Sequence, residues 1–305
     1  MKESRVSYKK LLKLNKNGET YCDYDLSQLT TFRVGGKAKY YVKINTLENF
    51  IQVMMYLEQI SCEYYILGNG SNILISDAGY PGVIIQLGGD FDRLLVRDNH
   101  MECGAGVHLA KAFVYARDES LSGFEDSAGI PASIGGALCM NAQAYEFEMA
   151  KIVDYVVAYH NGKIKYFKNI DCEFSYRSSI FQKDKYIILR VGFVLAKSDQ
   201  TKIMDRYKEV LSKRRETQPI GTKNAGCVFK RIDGIVVSKR LDEMGVKQYS
   251  CGGAKVSNIH ANFIVNESNA TAQDIKNLID KIAMDFESRY NIKLEREIKL
   301  LGEFE

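Results

Sequence analysis

The sequence predicts an α+β protein, and three observations carry that prediction. Strand-like and helix-like segments are intermixed along the whole chain, a hairpin signal lies among them, and no repeat or low-complexity stretch interrupts them. The hairpin is the sharpest of the three. "IVDYVVAYHNGKIKYF" (152–167) is two β-rich runs joined at Asn161-Gly162, and a type I′ turn needs positive φ at both central residues. Hairpins mixed with helices argue for α+β rather than a doubly wound parallel sheet.

The elements follow in order. "NTLENFIQVMMYLEQ" (45–59) opens with Asn45 and Glu48 at capping-box spacing, and Leu47, Phe50, Ile51, Met54 and Leu57 share one helical face. The short runs "EYYIL" (63–67), "NILIS" (72–76) and "GVIIQL" (82–87) read as strands between glycine-rich turns. A second helix is expected at 107–120. Ser198 opens a third, to about Arg215, which Pro219 stops from continuing. The composition turns basic here ("SKRR", 212–215), and a domain boundary is placed near 197. The last helix begins at Thr271, with Asp274 completing a capping box and Ile275, Leu278, Ile279, Ile282 and Phe286 forming the buried stripe. "KLEREIKLL" (293–301) is read as a closing strand, with Leu294, Arg296, Ile298 and Leu300 on one face and Glu295, Glu297 and Lys299 on the other.

A chain of 305 residues is long for one core, so two or three lobes are expected. With 42 basic and 38 acidic residues dispersed along it, the net charge of +4 is too small and scattered to argue for nucleic acid, though it suits an anionic small substrate. The start, "MKESRVSYKKLLKLNKNGE", has no apolar run, and "YIILRVGFVLA" (186–196) is too short to span a bilayer and carries Arg190. A cytoplasmic protein without membrane partners is expected. None of the seven cysteines forms a C-x-x-C pair and the four histidines show no H-x-x-x-H spacing, so disulfide and metal readings lose weight. Cys227, in "NAGCVFK" (224–230), is left as either a small buried side chain or a functional thiol.

Two glycine-rich stretches stand out. "ILGNGSNILIS" (66–76) places Gly68, Asn69, Gly70, Ser71 and Asn72 between two strands, where successive backbone N–H groups can converge on an anion. "SAGIPASIGGALCMNA" (127–142) sets Pro131, Gly135 and Gly136 around small residues, which lets a flat ligand or another backbone approach. Each reads equally as a tight structural connection. "GNGSNI" and "GAGVHL" both lack the third glycine of the dinucleotide fingerprint, and no P-loop occurs. Two anion-friendly loops suit a long diphosphate ligand held between two lobes.

"TTFRVGG" (30–36), "LGNGSNILISDAGYPGVII" (67–85), "AGIPASIGGALCMNA" (128–142), "FSYRSSIF" (174–181), "NAGCVFK", "GGAKVSNIHANFIVN" (252–266) and "LEREIKLLG" (294–302) together resemble, in order, the blocks of one family. It is the UDP-N-acetylenolpyruvoylglucosamine reductase family, flavoenzymes that make UDP-N-acetylmuramate for peptidoglycan. The resemblance implies a two-lobed FAD-binding domain of the vanillyl-alcohol-oxidase (PCMH) type and a C-terminal α+β substrate domain. It assigns 1–29 to an N-terminal arm, 30–197 to the flavin domain, split near 88, and 198–305 to the substrate domain. The short link after "YRSSIF" resembles the compact form of the family.

FAD and NADPH are the implied cofactors and a UDP-sugar the implied substrate, with the protein expected to act as a monomer. The resemblance assigns flavin contacts to Arg33, Gly68, Asn69, Gly70, Ser71, Asn72, Gly129, Ile130, Pro131, Ser133, Ile134, Gly135, Gly136 and Asn141. Substrate contacts fall to Tyr176, Arg214, Gln218, Lys230 and Arg231, the last standing where many relatives carry asparagine. Arg177 is implied to stabilise an enolate, Glu297 matches the catalytic glutamate, and Cys227 takes the place of the proton donor, often a serine. A free thiol, with a pKa of about 8.5, releases its proton more readily than an alcohol. Another non-covalent flavin oxidoreductase on the same fold, or a catalytically silent flavin-binding module, are the competing readings.

Overall fold

The computed structural model describes residues 6–305. Its chain contacts form two interleaved units. The first holds residues up to Cys22, Tyr40–Asn69 and Gly82–Ser212; the second holds Asp23–Lys39, Gly70–Pro81 and Lys213–Glu305. A division by sequence position alone misses this interleaving, because strand pairing recruits short segments from far along the chain.

The first unit is built on two sheets. One is five-stranded and antiparallel, in the order Lys163–Lys168, Val153–His160, Ile187–Val194, His100–Gly104, Leu94–Arg97. Its hairpin turns where the sequence predicts, with Asn161 at φ 47° and Gly162 at φ 76°. The other sheet runs Glu19–Asp25, Lys37–Ile44, Tyr80–Leu87, Tyr64–Ile66, and its last pair is parallel. Helix Leu47–Gln59 buries Phe50, Val53, Met54 and Leu57 in one of the unit's two apolar cores. Its cap is Thr46 rather than Asn45: the Thr46 hydroxyl accepts from the Asn49 amide, while Asn45 donates to the Asn17 carbonyl. Helix Leu109–Asp118 bears on the other core.

Helix Gln200–Thr217 starts in the first unit. Ile203 is buried there, and Tyr207 stacks on Phe113 with ring centroids 3.9 Å apart. Asp199, not Ser198, caps it by accepting from the amides of Thr201 and Lys202. The boundary expected near 197 therefore does not coincide with the change of unit after Ser212.

The second unit pairs Ser250–Cys251, Ala254–Val256 and Ile264–Asn266 in one sheet. Helix Ala272–Tyr290 buries Ile275, Leu278, Ile279, Ile282 and Phe286 in the core behind it, each such side chain contributing about 1.5–3 kcal/mol. The predicted Thr271–Asp274 capping box is present. A second capping group comes from the glycine-loop segment: Asp77 accepts from the amides of Ala272 (2.8 Å) and Gln273 (2.9 Å). Asp77→Ala is expected to cost about 1–2 kcal/mol, because it orphans first-turn donors that the helix cannot satisfy itself. A fall in the urea midpoint, partly restored in Asp77→Asn, checks this.

The closing strand is shorter than its pattern predicts. Only Lys299–Leu301 is regular, pairing in parallel with Ile73–Ile75. Upstream, the chain pairs at Arg296 with Phe229 and then changes partner, which breaks the alternation. Among the described residues no helix is long and apolar enough to cross a membrane.

Candidate active site

The two glycine-rich stretches meet in the first unit. A Cβ on Gly68 would stand 2.6 Å from the Ser133 hydroxyl, so glycine lets the two stretches approach with that hydroxyl in place. Asn69 Nδ2 lies 2.7 Å from His108 Nδ1 and donates to the Pro131 carbonyl at 3.2 Å. The Gly68 carbonyl accepts from Gln86, whose own amide oxygen accepts from the Tyr41 hydroxyl. The loop is thus a fixed concavity of small residues braced from behind. No periodicity in the sequence points to Tyr41, Gln86 or His108.

The second stretch contributes mainly shape. The amides of Ile134 and Gly135 are spent on the carbonyls of Val107 and Ala105, and the Gly136 amide on the Ser133 hydroxyl. Their part in a ligand site is closeness, not donation. Gly129 holds φ 78°, and together with Ile130, Pro131, Ser127, Ala110 and Tyr207 it lines a cavity of about 210 Å³. In the second unit, Gly70 takes φ 61° and a Cβ on it would stand 2.1 Å from the Leu29 carbonyl oxygen, while the Thr31 amide donates to the Gly70 carbonyl. Arg33 is also left-handed, at φ 58°, and donates to the Gln28 carbonyl.

Arg177 sits on a tight turn closed by reciprocal backbone bonds between Ser175 and Ser178. It holds φ 53°, a conformation that costs a side-chain-bearing residue about 1–2 kcal/mol. Its guanidinium carbon lies 5.5 Å from the Tyr176 ring centroid, and Nη1 donates to the Gln143 carbonyl. Fully buried Asn141 holds the turn from below. Its Nδ2 donates to the Ser175 carbonyl (3.1 Å) and to Glu148 (3.0 Å), and its Oδ1 accepts from the Ala150 amide. Gln143 donates to the same Glu148 oxygen. Asn141, predicted to touch the flavin, therefore spends its side chain inside the protein, bracing the arginine turn. Gln143 and Glu148 carry no signal in the sequence.

The segments that carry Cys227 and Glu297 pair through their backbone in the second unit. The Glu297 amide donates to the Val228 carbonyl at 2.8 Å, and the Lys230 amide to the Glu295 carbonyl at 2.9 Å. Asn72, from the glycine loop, donates its side-chain amide to the Glu297 carbonyl at 3.2 Å and accepts from Lys299 through its own carbonyl. Lys230 is ion-paired with Glu295. Arg214 is buried rather than a solvated helix end, and its Nε donates to Gln218 at 3.0 Å. Arg215 and Arg231 are exposed.

The cysteines differ in kind. Burial pushes the thiol of Cys172 up to about 12 and that of Cys103 higher still, so neither ionises in ordinary conditions. Cys227 is only half-buried.

The residues present fit a flavin dinucleotide: a braced glycine concavity, small residues at the Gly68–Ser133 approach, and an adjoining cavity edged by Pro131 and Tyr207. Comparison with known proteins agrees. An FAD binding domain family matches residues 38–163, and the C-terminal domain family of UDP-N-acetylenolpyruvoylglucosamine reductase matches residues 218–301. The UDP-N-acetylenolpyruvoylglucosamine reductase of Caldanaerobacter subterraneus is 36% identical over 96% of this chain and 97% of its own. That of Geobacillus kaustophilus is 33% identical over 99% of this chain and 100% of its own. The crystal structure of UDP-N-acetylenolpyruvylglucosamine reductase from Thermus caldophilus superposes with a TM-score of 0.81 at 33% identity, covering 93% of this chain and 99% of that one. The chain belongs to the UDP-N-acetylenolpyruvoylglucosamine reductase family.

Proposed function

We propose that this protein reduces the enolpyruvyl ether of UDP-N-acetylglucosamine to UDP-N-acetylmuramate, with NADPH as reductant and FAD as the bound prosthetic group, in the cytoplasm and as a monomer. Residues 30–197 supply most of the flavin-binding machinery and 198–305 most of the substrate-binding machinery. Bound flavin supplies the relay of a hydride from NADPH to the methylene carbon of the ether. The protein's own task is to manage the charge and the proton that remain. Negative charge develops on the substrate carboxylate and its α-carbon, and Arg177 offers a fixed cation for it. Cys227 gives the α-carbon its proton, as S–H donating to carbon. The proton and the hydride together complete the two-electron reduction of the C=C bond. Glu297 presents a carboxyl group from the segment bonded next to Cys227. Tyr176, Arg214, Gln218, Lys230 and Arg231 contribute to holding the anionic UDP-sugar.

The observation that carries this reading is the backbone pairing that sets Glu297 beside the residue following Cys227, with Asn72 of the glycine loop tied to the same Glu297. The test is a titration. The purified protein is expected to be yellow, to bleach with NADPH, and to regain its colour without oxygen when the UDP-enolpyruvyl sugar is added. A colourless protein that takes up no FAD ends the reading, and bleaching without recovery by the sugar turns it to another flavin oxidoreductase.

Gly68→Ala probes the cofactor cradle directly. The added methyl meets the Ser133 hydroxyl at 2.6 Å, so that hydroxyl must turn away from the Gly136 amide it accepts from, or the two loops must part. The flavin content of the purified variant is expected to drop at least tenfold, read from absorbance against protein, with the far-ultraviolet dichroism unchanged.

A further inference from the structure

The segment bearing Cys227 poses a problem of backbone accounting. Val228 and Phe229 are each 1% exposed, so their amides and carbonyls need protein partners. On one side, residues 295–297 supply them as far as Lys230. On the other, pairing begins at Cys227 with Phe263 and continues with the Val228 amide donating to the Asn262 carbonyl at 2.9 Å. The neighbouring chain then turns back, with the Phe263 amide bonded to the His260 carbonyl. On this side the Phe229 amide and carbonyl meet a side chain in place of main chain. The buried Asn262 side chain takes its place: Oδ1 accepts from the Phe229 amide at 3.0 Å and Nδ2 donates to the Phe229 carbonyl at 2.8 Å. One carboxamide thus supplies the donor and acceptor of an absent strand residue.

The turn that presents Asn262 is itself preorganised. The Ser257 hydroxyl accepts from the amides of Ile259 and His260, and His260 Nδ1 accepts from the Asn262 amide at 3.2 Å. Burial holds the His260 imidazole below its usual range, which preserves that acceptor at neutral pH.

We propose that Asn262 is a positioning residue for proton delivery: its carboxamide fixes the backbone that presents Cys227 and keeps it in register with the segment carrying Glu297. The inference rests on the assignment of Cys227 as the proton donor. A shift of about 1 Å at a reacting group can cost about 10²-fold in rate. Asn262→Ala is therefore expected to lower turnover of the UDP-enolpyruvyl sugar about 10²-fold while NADPH oxidation by ferricyanide stays within twofold of wild type.

A second readout is independent of turnover. The rate at which iodoacetamide modifies Cys227, followed on its own peptide by mass spectrometry across pH 6–10, is expected to change at least threefold in the folded holoprotein. Asn262→Asp keeps an acceptor for the Phe229 amide and loses the donor to its carbonyl, so it serves if the alanine variant does not fold, and an intermediate effect is expected. A folded variant with wild-type turnover and a wild-type alkylation profile overturns the proposal. Cys227→Ala measured beside them separates the two ideas: wild-type turnover in that variant removes the proton-donor assignment, while the alkylation profile still reports on Asn262.

Discussion

Cys227→Ala is expected to slow turnover of the UDP-enolpyruvyl sugar by about 10²–10⁴-fold, the range typical of losing a positioned general acid. NADPH oxidation with ferricyanide as the acceptor is expected to stay near wild type, because that half of the reaction needs no proton at the substrate carbon. Cys227→Ser is expected to keep substantial turnover, since a hydroxyl in the same place also carries a transferable proton. The alternative reading of Cys227, a small side chain filling space, makes the opposite forecast. Cys227 is half-buried and not at the centre of the second core, so truncation to alanine leaves little cavity and little change in stability. Unchanged sugar turnover in Cys227→Ala, with ferricyanide reduction also unchanged, removes the thiol from the mechanism.

Arg177 offers the second large effect, and its backbone makes the result easy to interpret. Arg177→Met is expected to lose about 10²–10³-fold in sugar turnover, as when a preorganised electrostatic partner of a developing anion is removed. Stability is forecast to behave differently. At φ 53° a side chain costs about 1–2 kcal/mol, which glycine relieves, while glycine also loses about 0.5–1 kcal/mol more in backbone entropy on folding. Arg177→Gly is therefore expected to unfold within about 1 kcal/mol of wild type and yet to be as inactive as the methionine variant. Retained strain at a residue whose replacement does not destabilise the fold indicates selection for chemistry. Chemical unfolding and sugar turnover measured on the same preparation decide it. Near-normal turnover in either variant withdraws Arg177 from its assigned role.

The contrast between legible and illegible features follows the range of the interactions. Thr271, Asp274 and the stripe from Ile275 to Phe286 were readable because helix periodicity and capping act over three or four residues. Asn161-Gly162 was readable because a turn type demands positive φ at adjacent positions. Helix starts slipped by one residue, Thr46 for Asn45 and Asp199 for Ser198, because two neighbouring polar residues can each cap and the tertiary environment chooses. The closing strand was overextended since alternation says nothing about a change of partner at Arg296. Among the candidate site residues, those in ordered motifs are the ones the sequence nominates, whereas Gln86, Gln143, Glu148 and Asn262 act through bonds to backbone or side chains that no local pattern encodes.

By itself, the sequence determined the α+β class, the glycine loops and the family, and it nominates Arg177, Cys227 and Glu297 as candidates, since each is written in short blocks of residues whose chemistry is local. Only the tertiary structure decided what holds those blocks in place. Asn72 meets Glu297 across 225 positions, Asn141 meets Ser175 across 34, and Asn262 meets Phe229 across 33. Such pairings arise because a buried amide or carbonyl must find a partner wherever the folded chain brings one, and a carboxamide can meet that need at any sequence distance.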